Sequence, residues 1–485
     1  MNLPLKPSCR IAVIGGGISG LTVAYILARA RSRGAPVDEF LIEAGDRLGG
    51  VVRTERVEGF LVEGGPDSFI AEKPEAAELC KELGLGDQLI GSNDRERKTY
   101  ILHSGRLVPL PDGLMFLVPT SIWPVMTSSL LSAKSKWGPV AELFSSQPSN
   151  TQSADESVAD FIVRHFGKEM LDNIAEPLLA GVYGGDAAAL SVASVLPRFR
   201  DMERKHGSLV RGALKLKKQR NKSMRAAGGG PKRETTPLFM TLKNGLGDLI
   251  QALAQRIEPS RLCFGRRVVA IDRSGPERNA TYRIHCEQDI VYDADAVVLA
   301  LPAHECARVL SRLDSELADN LRSIPYSSAL TVALGFNAGI AGSLPAGFGF
   351  LVPCKERRRL LACTFMHKKF SGRTPEGKAL LRCFLGGSRD PSVLNFTDAE
   401  ILSIVRQELC SILKIEAEPL FCRVFRWPAA MAQYTVGHSE KIERVTQQIQ
   451  KHPQLFLAGN AYSGIGLSDC IRAGKRAADQ ILLNA

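Results

Sequence analysis

The stretch Arg10-Ile11-Ala12-Val13-Ile14-Gly15-Gly16-Gly17-Ile18-Ser19-Gly20 constrains this chain more than any other: an apolar strand runs into a glycine turn, and a helix opens directly behind it. Glycines at 15, 17 and 20 permit a tight turn, close backbone approach to a pyrophosphate, and close packing of helix on strand. The helix that follows, Leu21 to Arg29, offers unpaired amides and a positive dipole end to such a phosphate. A second apolar strand, Glu39-Phe40-Leu41-Ile42-Glu43, closes in an acid about 20 residues past the last glycine, where a ribose hydroxyl is expected. The unit therefore predicts dinucleotide binding, with Gly15, Gly17, Ile18, Ser19, Gly20 and Glu43 along the ligand.

At 485 residues the chain has room for about three domains of ~150 residues and for an internal cavity. Its net charge of +11 is concentrated: between Glu203 and Glu234 eleven Lys or Arg face two Glu, a local balance of +9. The nearly neutral remainder argues against nucleic acid as a partner. The basic run reads as a solvated, mobile loop ending in Gly228-Gly229-Gly230-Pro231, or as an attractor of anionic lipid headgroups worth about 1 kcal/mol per cation. Eleven cysteines occur without C-x-x-C or Cys/His ligand spacing, so no zinc or other metal site and no disulfide framework is indicated, and a reducing compartment fits. Met1 to Ser8 carries no signal-peptide core, which predicts a cytoplasmic protein.

No charge occurs from Gly113 to Ala133, a segment broken by Pro119 and Pro124. It is too interrupted for a spanning helix, and is expected either to dip into one leaflet, with Lys134, Lys136 and Trp137 at the interface, or to line a core or tunnel. Residues 145–156 read as a loop, and helical spacing resumes from Val158 to Ile174. The glycine-rich turn Gly181-Val182-Tyr183-Gly184-Gly185-Asp186 suggests close approach of a flat ligand or another backbone. From Ile324 to Trp427, strands at Leu330–Phe336, Phe348–Val352, Leu360–Phe365 and Ala379–Leu385 alternate with a helix at Asp398–Leu413, the pattern of a mixed-sheet domain. Finally, Leu455-Phe456-Leu457 runs into Ala458-Gly459-Asn460 and a helix at Ile471–Leu483, whose dipole is expected to face the cofactor.

These motifs resemble the oxygen-dependent, FAD-containing protoporphyrinogen oxidase family within the flavin amine oxidase superfamily. The matching residues are Gly15 to Gly20, Arg47-Leu48-Gly49-Gly50, Glu63-Gly64-Gly65-Pro66, Gly181 to Asp186, Gly347-Phe348-Gly349-Phe350-Leu351-Val352-Pro353, Gln433-Tyr434-x-x-Gly437-His438, and Ala458 to Cys470. The resemblance implies FAD and an α/β architecture: a Rossmann-like FAD/NAD(P)-binding fold from 1–72, 238–303 and 428–485, an inserted helical and membrane-contacting domain at 73–237, and an α+β substrate domain at 304–427. It adds Ala44, Arg47, Gly49, Gly50, Arg53, Gly64, Gly65, Pro66, Asp67, Val268, Trp427, Gly459, Asn460, Gly466, Leu467 and Ser468 to the cofactor contacts, and places Phe350, Leu351, Phe370 and Gly181 against substrate.

The implied reaction belongs to haem biosynthesis: three successive two-electron oxidations take protoporphyrinogen IX to protoporphyrin IX, or alternatively coproporphyrinogen III to coproporphyrin III. Hydride passes to flavin N5 and molecular oxygen becomes peroxide. Aromatisation drives the chemistry, so little acid–base equipment is required and no catalytic side chain is assigned. Plant and animal members carry an arginine facing a propionate where this chain has Asp67, which leaves that contact unassigned. The competing readings are a flavin amine oxidase or carotenoid desaturase, and a non-enzymatic flavoprotein. A homodimer is admitted, with nothing in the sequence that fixes it.

Overall fold

A computed structural model describes residues 8–144, 155–226, 237–274 and 281–484. Continuous apolar runs make strands buried on both faces, and these pair in parallel. The resulting five-stranded sheet has the spatial order Leu262–Cys263, Val37–Ile42, Cys9–Ile14, Ala296–Leu299, Leu455–Leu457. Ile14 pairs with Ile42 on one side and with Leu299 on the other. The first strand thus lies at the point where the chain's crossovers diverge, and the crevice outside its carboxyl end is the natural ligand position. Two helices, Ile18–Ser32 and Leu467–Asn484, cross closely beside it. A Cβ on Gly474 would lie 2.6 Å from the Ser19 carbonyl oxygen, so only glycine permits this crossing. Ser19 Oγ donates to the Cys470 carbonyl at 3.1 Å across it.

A seven-stranded mixed sheet forms the second layer, in the order Phe421–Ala432, Tyr326–Phe336, Ala379–Gly386, Leu360–Phe365, Gly349–Leu351, Thr99–His103, Arg106–Pro109. Side chains alternate across a strand, and here the alternation separates two surfaces. Leu330, Val332, Leu334, Phe350, Cys363, Leu381 and Cys383 pack with Ile401, Val405 and Leu409 of the helix Asp398–Leu413. That helix starts at a capping box in which Thr397 and Glu400 satisfy one another's backbone amides. Leu380, Ala333, Phe421 and Phe425 face the other way, onto Phe60 and Val62 of the hairpin Thr54–Val57/Phe60–Glu63. The last two strands of the sheet come from within 73–237, and Phe421–Ala432 runs through 427, so the sheet does not respect the boundaries expected from sequence. A hairpin can join an edge strand from any distance in sequence, and composition carries no mark of it.

Between residues 114 and 226 short helices enclose a core of Val125, Phe161, Ile162, Phe166, Ile174, Leu179, Phe199 and Leu209. The uncharged segment divides: Leu117, Val118, Val125, Leu130 and Leu131 are buried, whereas Trp123 is 76% exposed. Among the described residues no helix is long and apolar enough to cross a membrane. The expected loop character of the basic run is corrected: helices Pro197–His206 and Leu209–Ala226 occupy residues 203–226. The second is anchored at its amino end by Glu142, which accepts from Leu209 N at 2.5 Å, Val210 N at 3.1 Å and Ser208 Oγ at 2.8 Å, while Ser208 Oγ accepts from Arg211 N at 3.1 Å. Gly228 to Pro231 and most of the expected loop 145–156 lie outside the described residues.

The seam between the hairpin and the large sheet buries charge. Arg373, 0% exposed, donates to Thr241 Oγ1 at 3.0 Å and to the Leu242 carbonyl at 2.9 Å. Glu63 accepts from Thr54 Oγ1 at 2.6 Å and Leu246 N at 2.7 Å. Burial raises its carboxyl to about 7, although both hydrogen bonds and the guanidinium groups of Arg373 and Arg382 pull the other way. A carboxyl raised in the fold holds its proton to higher pH than in the unfolded chain. The stability cost of ionising it is absent below 4.5, grows as pH rises, and is complete above about 7. At ~1.4 kcal/mol per unit this is on the order of 3 kcal/mol. Glu63→Gln is expected to flatten the fall in thermal midpoint between about pH 5 and about pH 8. Parallel melting curves across that range check it, and a variant as pH-sensitive as the parent would refute it.

Candidate active site

The glycine turn and Glu43 meet as expected. Glu43 Oε2 accepts from Gly16 N at 2.7 Å and Oε1 from Gly45 N at 2.8 Å, so the carboxylate is fixed at the crevice with lone pairs to spare for a hydroxyl. The helix Ile18–Ser32 has no side-chain cap at Gly17, and a Cβ on Gly17 would meet nothing within 4 Å. An uncapped helix start beside open space fits a phosphate. Gly49 N donates to the Gly16 carbonyl at 2.8 Å, and Gly50 and Ala44 lie in the same loop. Arg47 braces that loop from within through the carbonyls of Leu48 and Val52, both at 3.3 Å, and of Gly50 at 2.6 Å. Val268 is buried two residues beyond Arg266, whose amide donates to the Glu43 carbonyl at 3.0 Å.

Opposite lies the turn Gly64-Gly65-Pro66-Asp67-Ser68. A Cβ on Gly65 would stand 1.7 Å from the Val51 carbonyl oxygen, which makes glycine obligatory there. Trp427 Nε1 donates to the Gly64 carbonyl at 2.9 Å, and Arg53 lies over the Phe425 ring at 5.4 Å. Arg382 donates to the Gly65 carbonyl, while Lys369 Nζ donates to Asp67 Oδ2 at 3.0 Å and Oδ1 at 3.1 Å. Burial alone would raise the Asp67 carboxyl, but the Lys369 ammonium and Arg382 guanidinium outweigh it and hold it well below the ordinary range. Sequence reasoning missed Lys369 and Arg382. The available signal was a charge inside an apolar strand, Leu380-Leu381-Arg382-Cys383-Phe384.

The carboxyl-terminal motif closes the crevice. Tyr434 stacks on His438 with ring centroids 4.1 Å apart. Its hydroxyl donates to the Asn460 carbonyl at 2.7 Å and accepts from Gly464 N at 2.8 Å, which ties Gln433 to His438 directly to the glycine loop around Gly459. Gln433 Nε2 donates to the Tyr183 carbonyl at 2.8 Å and to Ser327 Oγ at 2.9 Å, joining the helix Glu176–Tyr183 to the large sheet. At the start of the last helix, beside Leu467, Gly466 N donates to Asp469 Oδ2 at 3.3 Å and Ser468 Oγ donates to the Lys73 carbonyl at 3.2 Å.

Of the residues expected against substrate, two come together. A Cβ on Gly181 would lie 3.0 Å from Leu351 Cδ2, so Gly181 stands within a helix, not a turn, and admits its neighbour across the cleft. Phe350 is corrected: strand alternation turns it to the opposite face, where it is buried near Phe365 with the ring centroids 6.3 Å apart. Phe370 is 1% exposed and fills the seam beside Phe60 and Phe425.

The pattern of the flavin containing amine oxidoreductase family matches residues 18–482. The chain belongs to that family. It is an FAD-dependent oxidoreductase. It is 32% identical over 474 residues to a coproporphyrinogen III oxidase of Bacillus subtilis (strain 168), covering 97% of each chain. It is 27% identical to protoporphyrinogen oxidase 2, chloroplastic/mitochondrial, of Arabidopsis thaliana, covering 98% of this chain and 94% of that one. A solved structure of a candidate protoporphyrinogen oxidase from Exiguobacterium sp. 255-15 superposes with a TM-score of 0.85 at 30% identity, covering 99% of both chains.

Gly65→Ala is expected to push the turn off Val51 at an overpacking cost of about 1–3 kcal/mol, and to weaken FAD retention by about tenfold. Flavin absorbance per purified protein measures this, and parental flavin content would show that the close contact is not required.

Proposed function

We propose that the chain is an FAD-dependent porphyrinogen oxidase of haem biosynthesis, removing six electrons from its substrate in three steps with molecular oxygen as acceptor and hydrogen peroxide as by-product. The observation that carries this reading is end-to-end similarity to relatives named for the two porphyrinogen oxidations, on a fold that brings two glycine units to one crevice. When bound, FAD supplies the electron sink. The chain's own contribution is binding, orientation and exclusion of water. Half-buried Leu178, Tyr183 and Leu351 offer apolar surface to a flat macrocycle, while Trp427 steadies the turn opposite. Sequence reasoning placed protoporphyrinogen IX first. The higher identity to the bacterial relative, 32% against 27%, favours coproporphyrinogen III as the second reading.

Parallel aerobic turnover of the two porphyrinogens by the purified yellow protein tests this, with porphyrin fluorescence followed against a protein-free control. One substrate is expected to be oxidised at least about tenfold faster, a gap of ~1.4 kcal/mol in transition-state binding. Rates equal to the control for both, with FAD bound, would leave the family standing and remove the reaction.

The same reading includes peripheral attachment to an anionic bilayer. Trp123, Trp137 and Phe144 are exposed large aromatics of the helical region. Exposed Lys215, Lys217 and Lys218 stand on the helix that Lys217 Nζ joins to the Thr120 carbonyl at 3.2 Å. Replacing the three aromatics by Ser is expected to abolish flotation with anionic vesicles, and equal flotation of the parent with neutral and anionic vesicles would exclude the attachment.

A further inference from the structure

We propose that Lys369 and Arg382, with Asp67 between them, form a buried positioning clamp that sets the turn Gly64–Ser68 against the bound flavin and biases the flavin toward its reduced form. The inference rests on the FAD-dependent reading above and is independent of which porphyrinogen is oxidised.

Asp67 is engaged by the chain's own groups. The residue is 9% exposed, and both of its oxygens are occupied. Oδ1 accepts from Ser68 Oγ at 2.5 Å and Lys369 Nζ at 3.1 Å, and Oδ2 accepts from Lys369 Nζ at 3.0 Å, with Arg382 at 3.5 Å. A carboxylate already paired with two of the chain's own cations has its charge cancelled before it reaches the cleft. Position 67 therefore serves the protein's own geometry.

The cations that hold it come from the large sheet or its connections. Arg382 and Trp427 stand in strands of that sheet, on the surface facing away from the helix Asp398–Leu413. Lys369 closes the short helix Met366–Lys369 that follows another of its strands, and its ammonium lies over the rings of Phe239 at 4.6 Å and Phe370 at 5.2 Å. Between them these side chains engage the carbonyls of Gly64 and Gly65, the carboxylate of Asp67 and the hydroxyl of Ser68. On its other side the turn rests against the Val51 backbone. Four contacts from the sheet, the Val51 backbone and the hydrogen bond from Gly64 N to the Arg53 carbonyl at 2.7 Å leave a five-residue segment no freedom to drift.

The cluster also carries excess charge. Lys369, Arg373 and Arg382 share one buried seam with the carboxyls of Asp67 and Glu63, three cations to two acids, and Arg382 Nε has no hydrogen-bond partner among the described residues. In a site shielded from water, fixed positive charge behind a flavin-facing turn favours the reduced cofactor, which carries more negative charge than the oxidised one.

The test compares Lys369→Met, Lys369→Arg and Trp427→Phe as holoenzymes, reading FAD dissociation by fluorescence and the flavin midpoint potential by spectroelectrochemistry, with no porphyrinogen present. Lys369→Met is expected to weaken FAD binding about tenfold and to lower the potential, and Lys369→Arg to restore both. Trp427→Phe, which keeps an aromatic ring and loses the hydrogen bond to Gly64, is expected to weaken FAD binding with the potential nearly unchanged. It also keeps the proposal testable where Lys369→Met does not fold. A folded Lys369→Met with parental affinity and potential overturns the clamp, as does parental affinity in Trp427→Phe. Parental protein that binds no FAD overturns the cofactor reading itself, whereas flavin-loaded parent with unaffected variants overturns the clamp alone.

Discussion

The close crossing of the first and last helices is the contact on which the rest of the fold depends. Ser19 and Cys470 are 451 residues apart in sequence, yet one donates to the other. Gly474 lets the two backbones touch, and that approach aligns both helix starts on a single crevice. Everything between them is obliged to leave the parallel sheet and return to it, which the strands at Ala296–Leu299 and Leu455–Leu457 do.

The large sheet answers this geometry from the other side. One of its surfaces is sealed by the helix Asp398–Leu413 and behaves as ordinary apolar core. The other meets the nucleotide unit through a seam where Glu63, Asp67, Lys369, Arg373 and Arg382 are all buried. Buried ions contribute little net stability unless their partners are exact in geometry, and losing one partner is costly, so a seam of this kind serves register more than strength. Two domains joined by apolar contacts alone could slide by an ångström. Joined by directed donors and acceptors, they hold the Gly64–Ser68 turn in one place.

Much of this was legible in the sequence because the relevant signals are local. The glycine turn at 15–20, the acid at Glu43 and the helix at Asp398–Leu413 each follow from spacing within one supersecondary unit, and the structure forms the turn and the helix there and hydrogen-bonds Glu43 to Gly16 N. What escaped was non-local. Nothing near Thr99 announces that the hairpin it forms with Arg106–Pro109 pairs with Gly349–Leu351. The helicity of residues 209–226 depends on an acceptor, Glu142, supplied by a different helix. Phe350 and Leu351 illustrate a third limit: the motif containing them was recognisable, but which of two adjacent residues faces the cleft is decided by strand parity relative to a helix packed 50 residues later in the chain.

That parity has an evolutionary consequence. Along Ala379–Gly386, residues 379, 381, 383 and 385 face the helix, and residues 380, 382 and 384 face the seam. Core packing and turn placement are thereby assigned to interleaved positions of one strand, so drift in one set leaves the other undisturbed. Such a strand can exchange its seam-side residues, and with them the placement of the Gly64–Ser68 turn, without repacking its core. A lineage could retune the turn by substitutions spaced two residues apart.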